Sequence, residues 1–467
     1  MSLKFYKISI QMWHMLIENL ISQARLREIA EIYLKIADLY AEKLNDPVAE
    51  RENILKSIGF LIDESEVLKT FNDVRKLVQN YSNIAELYLR INDCRNAVGF
   101  FAKVIEISKV NEYIDLLSFS YEQISTCLEN LDEFQLANDY ILDGIDYFSE
   151  LFNIAEEKND FHSIAQLAQI LKNLYKRLGN NSQFNIYSKK EAGAYINLAE
   201  QLEKTKENFA RISNYYKGAA LCYKEIKNNL IECASCFVLA GNFAQDPQEA
   251  ALNYVDAANT FKELENYEMA YRHFVKAGDC FWKAGEVYQS TECYLNAYDI
   301  AVEIKLEFDR FGIFNQIIKG LNKVAEEGLK NKQFFTAATL ILESIKFYEQ
   351  LDTAKDFLLR ELLRNVYRYY YRAASLKKIS LSHIVQSYVL ASLSCILIGK
   401  LDKAWQIISE LDSEGKTVND YKKMIKIIIE RVSEGKQIDI KNFPYKIKNL
   451  IKKSEEIKYL IGLFKRL

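Results

Sequence analysis

The chain has 467 residues, more than one ordinary core holds, so two or more domains or an extended repeat array are expected. Three prolines and 16 glycines are too few for a sheet protein that turns about every ten residues, which leaves an almost wholly helical chain. With 61 basic against 64 acidic residues the formal net charge is -3, which excludes a protein that coats nucleic acid through bulk positive charge.

The opening MSLKFYKISIQMWHM lacks the long apolar core and small-residue cleavage site of a secretion signal. The eight cysteines are scattered and form no dense framework, so a cytoplasmic, reducing setting is expected. Asp46 and Pro47 read as a helix start, the carboxylate capping free amides and the proline set at the first helical position. IAEIYLKIADLYAEKL, IAELYLRINDCRNAVGFFAKVIEI and ISTCLENLDEFQLANDYILDGIDYF share a spacing of aromatic and small residues with short polar turns between them. Tetratricopeptide-like helical repeats are therefore expected across residues 1–190. KRLGNNSQFNIYSKKEAG, residues 176–193, is rich in Gly, Asn and Ser and reads as the internal boundary.

From residue 195 to 301 one pattern recurs: an aromatic, a small residue four positions on, and often a large one three further. It stands as Tyr216, Ala220 and Tyr223; Phe237 and Gly241; Tyr254, Ala258 and Phe261; Phe274, Gly278 and Phe281. The leading aromatics, Tyr195, Tyr216, Phe237, Tyr254, Phe274 and Tyr294, step by 21, 21, 17, 20 and 20 residues, each about one helix and its turn. Antiparallel hairpins of about 40 residues follow, longer than the roughly 34 of an ordinary tetratricopeptide unit. The expected fold is all-α, an α-solenoid whose second segment spans residues 191–378.

Within this block Cys233 and Cys236 form a C-x-x-C pair, which raises metal or redox chemistry as well as packing. With Phe237 and Ala240 they occupy i, i+3, i+4 and i+7, one apolar helix face. No second C-x-x-C follows, and the four histidines, His14, His162, His273 and His383, stand at no metal-ligand spacing from the pair, so packing is the expectation. Asp246 and Pro247 repeat the helix-start punctuation.

RNVYRYYYRAASLKK, residues 364–378, sets Arg364, Arg368 and Arg372 at i, i+4 and i+8, one helix stripe, with Leu363, Val366, Tyr367, Tyr370 and Ala374 opposite as a core seam. A solvated face, a site for an acidic partner helix and a surface for stacking single-stranded nucleic acid all fit such a stripe; the acidic body argues against nucleic acid. The uncharged run ISLSHIVQSYVLASLSCILIG, residues 379–399, is long enough to test as a membrane span. Its His383, Gln386 and several serines favour instead a buried helix of a C-terminal bundle covering residues 379–467. From Tyr421 to Leu467 there are 13 basic and 5 acidic residues, a net of +8 against -11 for the rest, a basic module on an acidic body. Pro444 marks the last break, before a terminal helix.

ECASCFVLAGNFAQDPQEA resembles a stretch of the soluble NSF attachment proteins, the SNAP family, in its CFV-x-AGN core and its DPQEA helix start. AYRHFVKAGDCF and SYVLASLSCILIGKLDKAWQIISELDSEGKTVNDYKKMIKIIIERVSEGKQIDI follow in that family's order, so the likeness runs from about Tyr195 to the end, a little under three fifths of the chain. The resemblance implies a non-enzymatic adaptor that grips a SNARE helix bundle on a basic surface and recruits a hexameric ATPase to take it apart. Arg272 falls where the family has a SNARE-facing lysine, Lys423 and Lys426 fall on basic positions of the C-terminal bundle, and Asn266 stands where the family has arginine. The family's membrane-touching loop corresponds to Phe184, Ile186 and Tyr187 here, candidates for peripheral membrane contact or for a loop folded onto the solenoid. Where the family carries an acidic tail with an ATPase-stimulating leucine, this chain reads LFKRL, and some 190 residues precede the match.

No G-x-x-x-x-G-K-[ST], G-x-G-x-x-G or G-x-S-x-G occurs, so no catalytic residue, cofactor or metal is expected. Two functional readings stand: a SNAP-like adaptor between helical bundles and an ATPase, and a general tetratricopeptide-like scaffold that captures a peptide with no ATPase partner.

Overall fold

The structure, a computed structural model, describes residues 3–206, 208–226, 228–306, 310–350, 356–376, 379–411 and 415–464. The chain divides into two compact units, residues 1–198 and 199–467, where the sequence reading drew borders after residues 190 and 378. Lys378, on the second of those borders, Lys377 beside it and Leu467 of the terminal LFKRL lie outside the described residues.

The first unit holds α1 (Leu3–Ser22), α2 (Leu26–Leu39), α3 (Pro47–Thr70), α4 (Val74–Arg90), α5 (Cys94–Asn111), α6 (Ile114–Asn130), α7 (Phe134–Lys158) and α8 (Phe161–Arg177). It also holds the part of α9 (Asn181–Thr205) up to Leu198. The second holds α10 (Phe209–Lys224), α11 (Leu230–Phe243), α12 (Pro247–Glu263), α13 (Tyr267–Ala284), α14 (Val287–Glu303), α15 (Arg310–Lys330), α16 (Phe334–Tyr348) and α17 (Asp356–Leu376). The unit is completed by α18 (Leu381–Leu397), α19 (Leu401–Ser409), α20 (Lys416–Ser433), α21 (Tyr445–Lys452) and α22 (Glu455–Leu463). Within each unit successive helices pack chiefly on their chain neighbours, the arrangement of an all-α solenoid.

The turns explain how so few glycines suffice. Asn72, Asn92 and Asn159 each adopt positive φ just past a helix end, where asparagine tolerates the left-handed conformation. The aspartate that follows each one, Asp73, Asp93 and Asp160, returns its amide to a carbonyl of the helix just ended and caps the next helix with its carboxylate. An Asn-Asp dipeptide thus does in two residues what a glycine and a separate cap would do. Asp46 and Asp246 also cap their helices, with Pro47 and Pro247 at the first helical position as the sequence indicated.

The aromatic and small residues meet as expected, one leading aromatic per helix from α9 to α14, and the contact has a recurring form. The Tyr254 ring covers Gly241, where a Cβ would lie 2.8 Å from Cε1, and its hydroxyl donates to Asn242 Oδ1 at 2.7 Å. Tyr294 covers Gly278, where a Cβ would lie 2.9 Å from Cζ, and donates to Asp279 Oδ1 at 2.5 Å. In the first unit Tyr121 lies over Gly144 and donates to Asp143. Glycine admits the ring face, and the polar neighbour beside it satisfies the phenol that would otherwise be buried unpaired.

In the C-terminal part α18 touches α17, α19, α20 and α22, and every residue from Ser387 to Leu397 is buried. From Ser387 onward the uncharged run is therefore the central helix of a bundle, free of charge on every side because it is covered on every side. Among the described residues no helix is long and apolar enough to cross a membrane.

Two readings need correction. The segment 176–193 is not one long loop: only Leu178, Gly179 and Asn180 lie between helices, and α9 begins at Asn181 with the Asn180 side chain accepting from Gln183 N at 3.2 Å. Its remaining Ser, Asn and Gln residues belong to that helix, with Asn181 and Ser182 exposed, Gln183 and Asn185 half-buried and Ser188 buried. Pro444 is not the last break either: Ser454 caps a further helix, α22, by accepting from Ile457 N at 3.3 Å.

Candidate functional site

Arg364, Arg368 and Arg372 all lie exposed on α17, over a seam in which Leu363, Val366, Tyr370 and Ala374 are buried and Tyr367 is half-buried. Their surroundings differ. The Arg372 guanidinium rests over the Phe334 ring of α16, 4.5 Å from its centroid, and Arg372 borders a cleft of about 780 Å³ between the start of α16, the end of α17 and the start of α18. Arg364 and Arg368 lie outside that lining.

The cleft also draws in Lys332 and His383, which the sequence reading did not select. His383 meets Phe335 edge-on at 4.7 Å, and its Nδ1 is 2.7 Å from Ser380 Oγ. Phe334 is buried and Phe335 half-buried, so the floor is aromatic and the rim cationic. The available signal is QFF at 333–335 immediately after the exposed Lys332 of the α15–α16 turn, and a histidine that interrupts an apolar run.

Arg272 is exposed on α13 and pairs with Glu268 Oε1 one turn earlier at 2.5 Å. Asn266 caps that same helix, its Oδ1 accepting from Met269 N at 3.3 Å, a local role for a residue that stands where the resemblance expects arginine. Lys423 and Lys426 are exposed on α20, and Lys426 lies 4.0 Å from Glu430. None of Arg272, Lys423 and Lys426 lines the α16–α18 cleft.

Of the three candidate membrane residues only Ile186 is exposed, at 42%. Phe184 is half-buried beneath Lys176, and Tyr187 stacks on Tyr175 at 5.5 Å and meets Phe152 edge-on at 5.4 Å. On helix α9 Phe184 and Tyr187 stand three residues apart on one face while Ile186 points away from it, so the three side chains do not share one surface.

Cys233 and Cys236 are buried with Phe237 and Ala240 on one face of α11, as the packing reading required. Burial pushes the thiol of Cys236 up to about 12 and that of Cys233 up to about 11, the latter opposed by a hydrogen bond with Thr260. Burial thus favours the protonated thiols, which are poor nucleophiles.

No known protein-family model matches the chain, and no curated protein matches it in sequence. Among solved structures it is similar to BtubC from P. vanneervenii at 17% identity, covering 56% of this chain and 94% of that one, with a TM-score of 0.21. It is similar to a signal-transduction ATPase with a tetratricopeptide repeat sensor from Pyrococcus horikoshii at 12% identity, covering 91% of this chain and 55% of that one, with a TM-score of 0.22. It is also similar to the apo form of RapI at 11% identity, covering 81% and 99%, with a TM-score of 0.21. Scores this low carry nothing about activity or partners. The chain is an all-α array of helical hairpins by its own packing.

Proposed function

We propose that this protein is a non-enzymatic adaptor of the SNAP kind, which holds an acidic helical bundle and presents it to a hexameric ATPase for disassembly in membrane traffic. The observation that carries the reading is the order of its parts. Stacked hairpins α10 to α14 contain the CFV-x-AGN and DPQEA stretches, and they lead through an arginine-striped helix into a bundle centred on α18. Arg364 and Arg368 on α17, Arg272 on α13 and Lys423 on α20 are exposed cations that an acidic coiled coil would engage through complementary charge.

The test uses purified full-length protein with a recombinant SNARE four-helix bundle and the cognate hexameric ATPase. The reading expects a complex that weakens with salt, weakens at least about tenfold when Arg364 and Arg368 are both changed to Glu, and supports ATP-dependent release of the SNARE chains. A complex indifferent to Arg364→Glu/Arg368→Glu and to Arg272→Glu/Lys423→Glu, with no ATPase engagement, defeats it. The second reading, a peptide-binding scaffold with no ATPase partner, is favoured by the whole first unit, which lies almost entirely outside the resemblance.

A further inference from the structure

The cleft between α16, α17 and α18 has a composition that specifies the chemistry of a ligand. Lys332, Arg372 and His383 converge on it, and no carboxylate lines it among the described residues. Elsewhere in the chain cations such as Arg272, Lys109 and Lys190 sit against acids, Glu268, Asp143 and Glu156 respectively. The like charges of Lys332 and Arg372 at one concavity repel, and the local potential they raise is relieved by an anion. Arg372 and His383 are also held against aromatic rings, the first over Phe334 at 4.5 Å and the second against Phe335 at 4.7 Å, so two of the three groups are pre-positioned.

We propose that this cleft binds a phosphate monoester whose apolar or aromatic part rests on the Phe334 and Phe335 floor. A phosphate dianion matches the multiple cationic groups better than a single carboxylate, and the guanidinium fork of Arg372 suits its oxygens while Lys332 supplies a point charge. The volume of about 780 Å³ lies within the range that small ligands occupy. Neither probe of the site below is a protein, so its test is independent of the adaptor reading.

Titration calorimetry of the full chain with phenyl phosphate tests a free metabolite. Co-sedimentation with phosphatidylcholine vesicles containing phosphatidic acid tests a lipid headgroup. The expected result is saturable binding of at least one probe, weakened about tenfold or more by Arg372→Met and likewise by Lys332→Met, as loss of a charge-assisted hydrogen bond implies. Arg364→Met, two turns away on α17 and outside the cleft, leaves the affinity unchanged. Whichever arm responds identifies the source of the phosphate. Lys332 is exposed, so its variant keeps the test decisive if Arg372→Met fails to fold. Failure of both probes to bind the wild type, or unchanged affinity in Arg372→Met and Lys332→Met, overturns the assignment.

Discussion

Lys172 of α8 and Glu191 of α9 form an ion pair inside the first unit, Nζ to Oε2 at 2.8 Å, with side chains only 9% and 3% exposed. Two charges taken out of water cost several kcal/mol each, and their attraction repays that only while both are present. Lys172→Met removes one partner, keeps the side-chain volume and leaves the Glu191 carboxylate buried without it, which is expected to cost about 3–5 kcal/mol. Lys172→Met/Glu191→Leu removes the whole charge problem and is expected within about 1 kcal/mol of the wild type or above it. The coupling in a double-mutant cycle is then at least about 2 kcal/mol. Urea unfolding of the full chain followed by circular dichroism, with each unit watched by its own probe, measures all four proteins. The reasoning fails if Lys172→Met costs less than about 1 kcal/mol, or if the double variant loses the sum of the two single losses, since additivity means the charges do not depend on each other.

Four further outcomes follow from the structure. Gly278→Ala drives a Cβ to 2.9 Å from the Tyr294 ring and is expected to destabilise by about 1–3 kcal/mol in thermal melts. Gly328→Ala, whose nearest neighbour would be 3.8 Å away, is expected to be neutral or stabilising by up to about 1 kcal/mol. His273 is buried and stacked on Phe261 and Tyr254, and burial first, then Lys276 and Arg272, push its ring down from 6.5 to about 4. Between those values the unfolded chain holds a proton that the native ring refuses, so stability is full above pH 6.5 and falls toward pH 4 by up to about 3 kcal/mol. His273→Phe keeps a ring in place and is expected to flatten that part of a stability-versus-pH curve. Asp93→Ala removes the cap on Asn96 N and is expected to cost about 1 kcal/mol by urea denaturation, a loss Asp93→Asn largely restores.

Much of the fold was legible because its signals are local. Helix existence follows from periodicity, and one aromatic per helix from α9 to α14 follows from the 17- to 21-residue steps. The buried state of α18 follows from a run without charge. What misled was composition read without position. GNNSQFN counts as loop-forming by residue type, yet only Gly179 and Asn180 sit where a turn needs them, and a helix tolerates the polar residues on its solvent side. The Asn-Asp turns show the converse: at 72–73, 92–93 and 159–160 the dipeptide turns and caps, while Asn138-Asp139 and Asn419-Asp420 lie inside helices, so position again decides what composition does not.

The site was less legible, and the reason lies in what periodicity omits. Spacing of i, i+4 and i+8 puts Arg364, Arg368 and Arg372 on one face of α17 but says nothing of which turn of the neighbouring helix each one meets. That axial register is set by the length of the α16–α17 hairpin and its packing, and it brings the last turn of α17 to the first turn of α16. Arg372 therefore meets Phe334 and joins Lys332 and His383, while Arg364 and Arg368 stay on open surface. One stripe in the sequence is two environments in the fold. Under the two proposals, substitution at 364 and 368 is expected to bear on a protein partner alone and substitution at 372 on phosphate, so the two proposed bindings separate along a single helix.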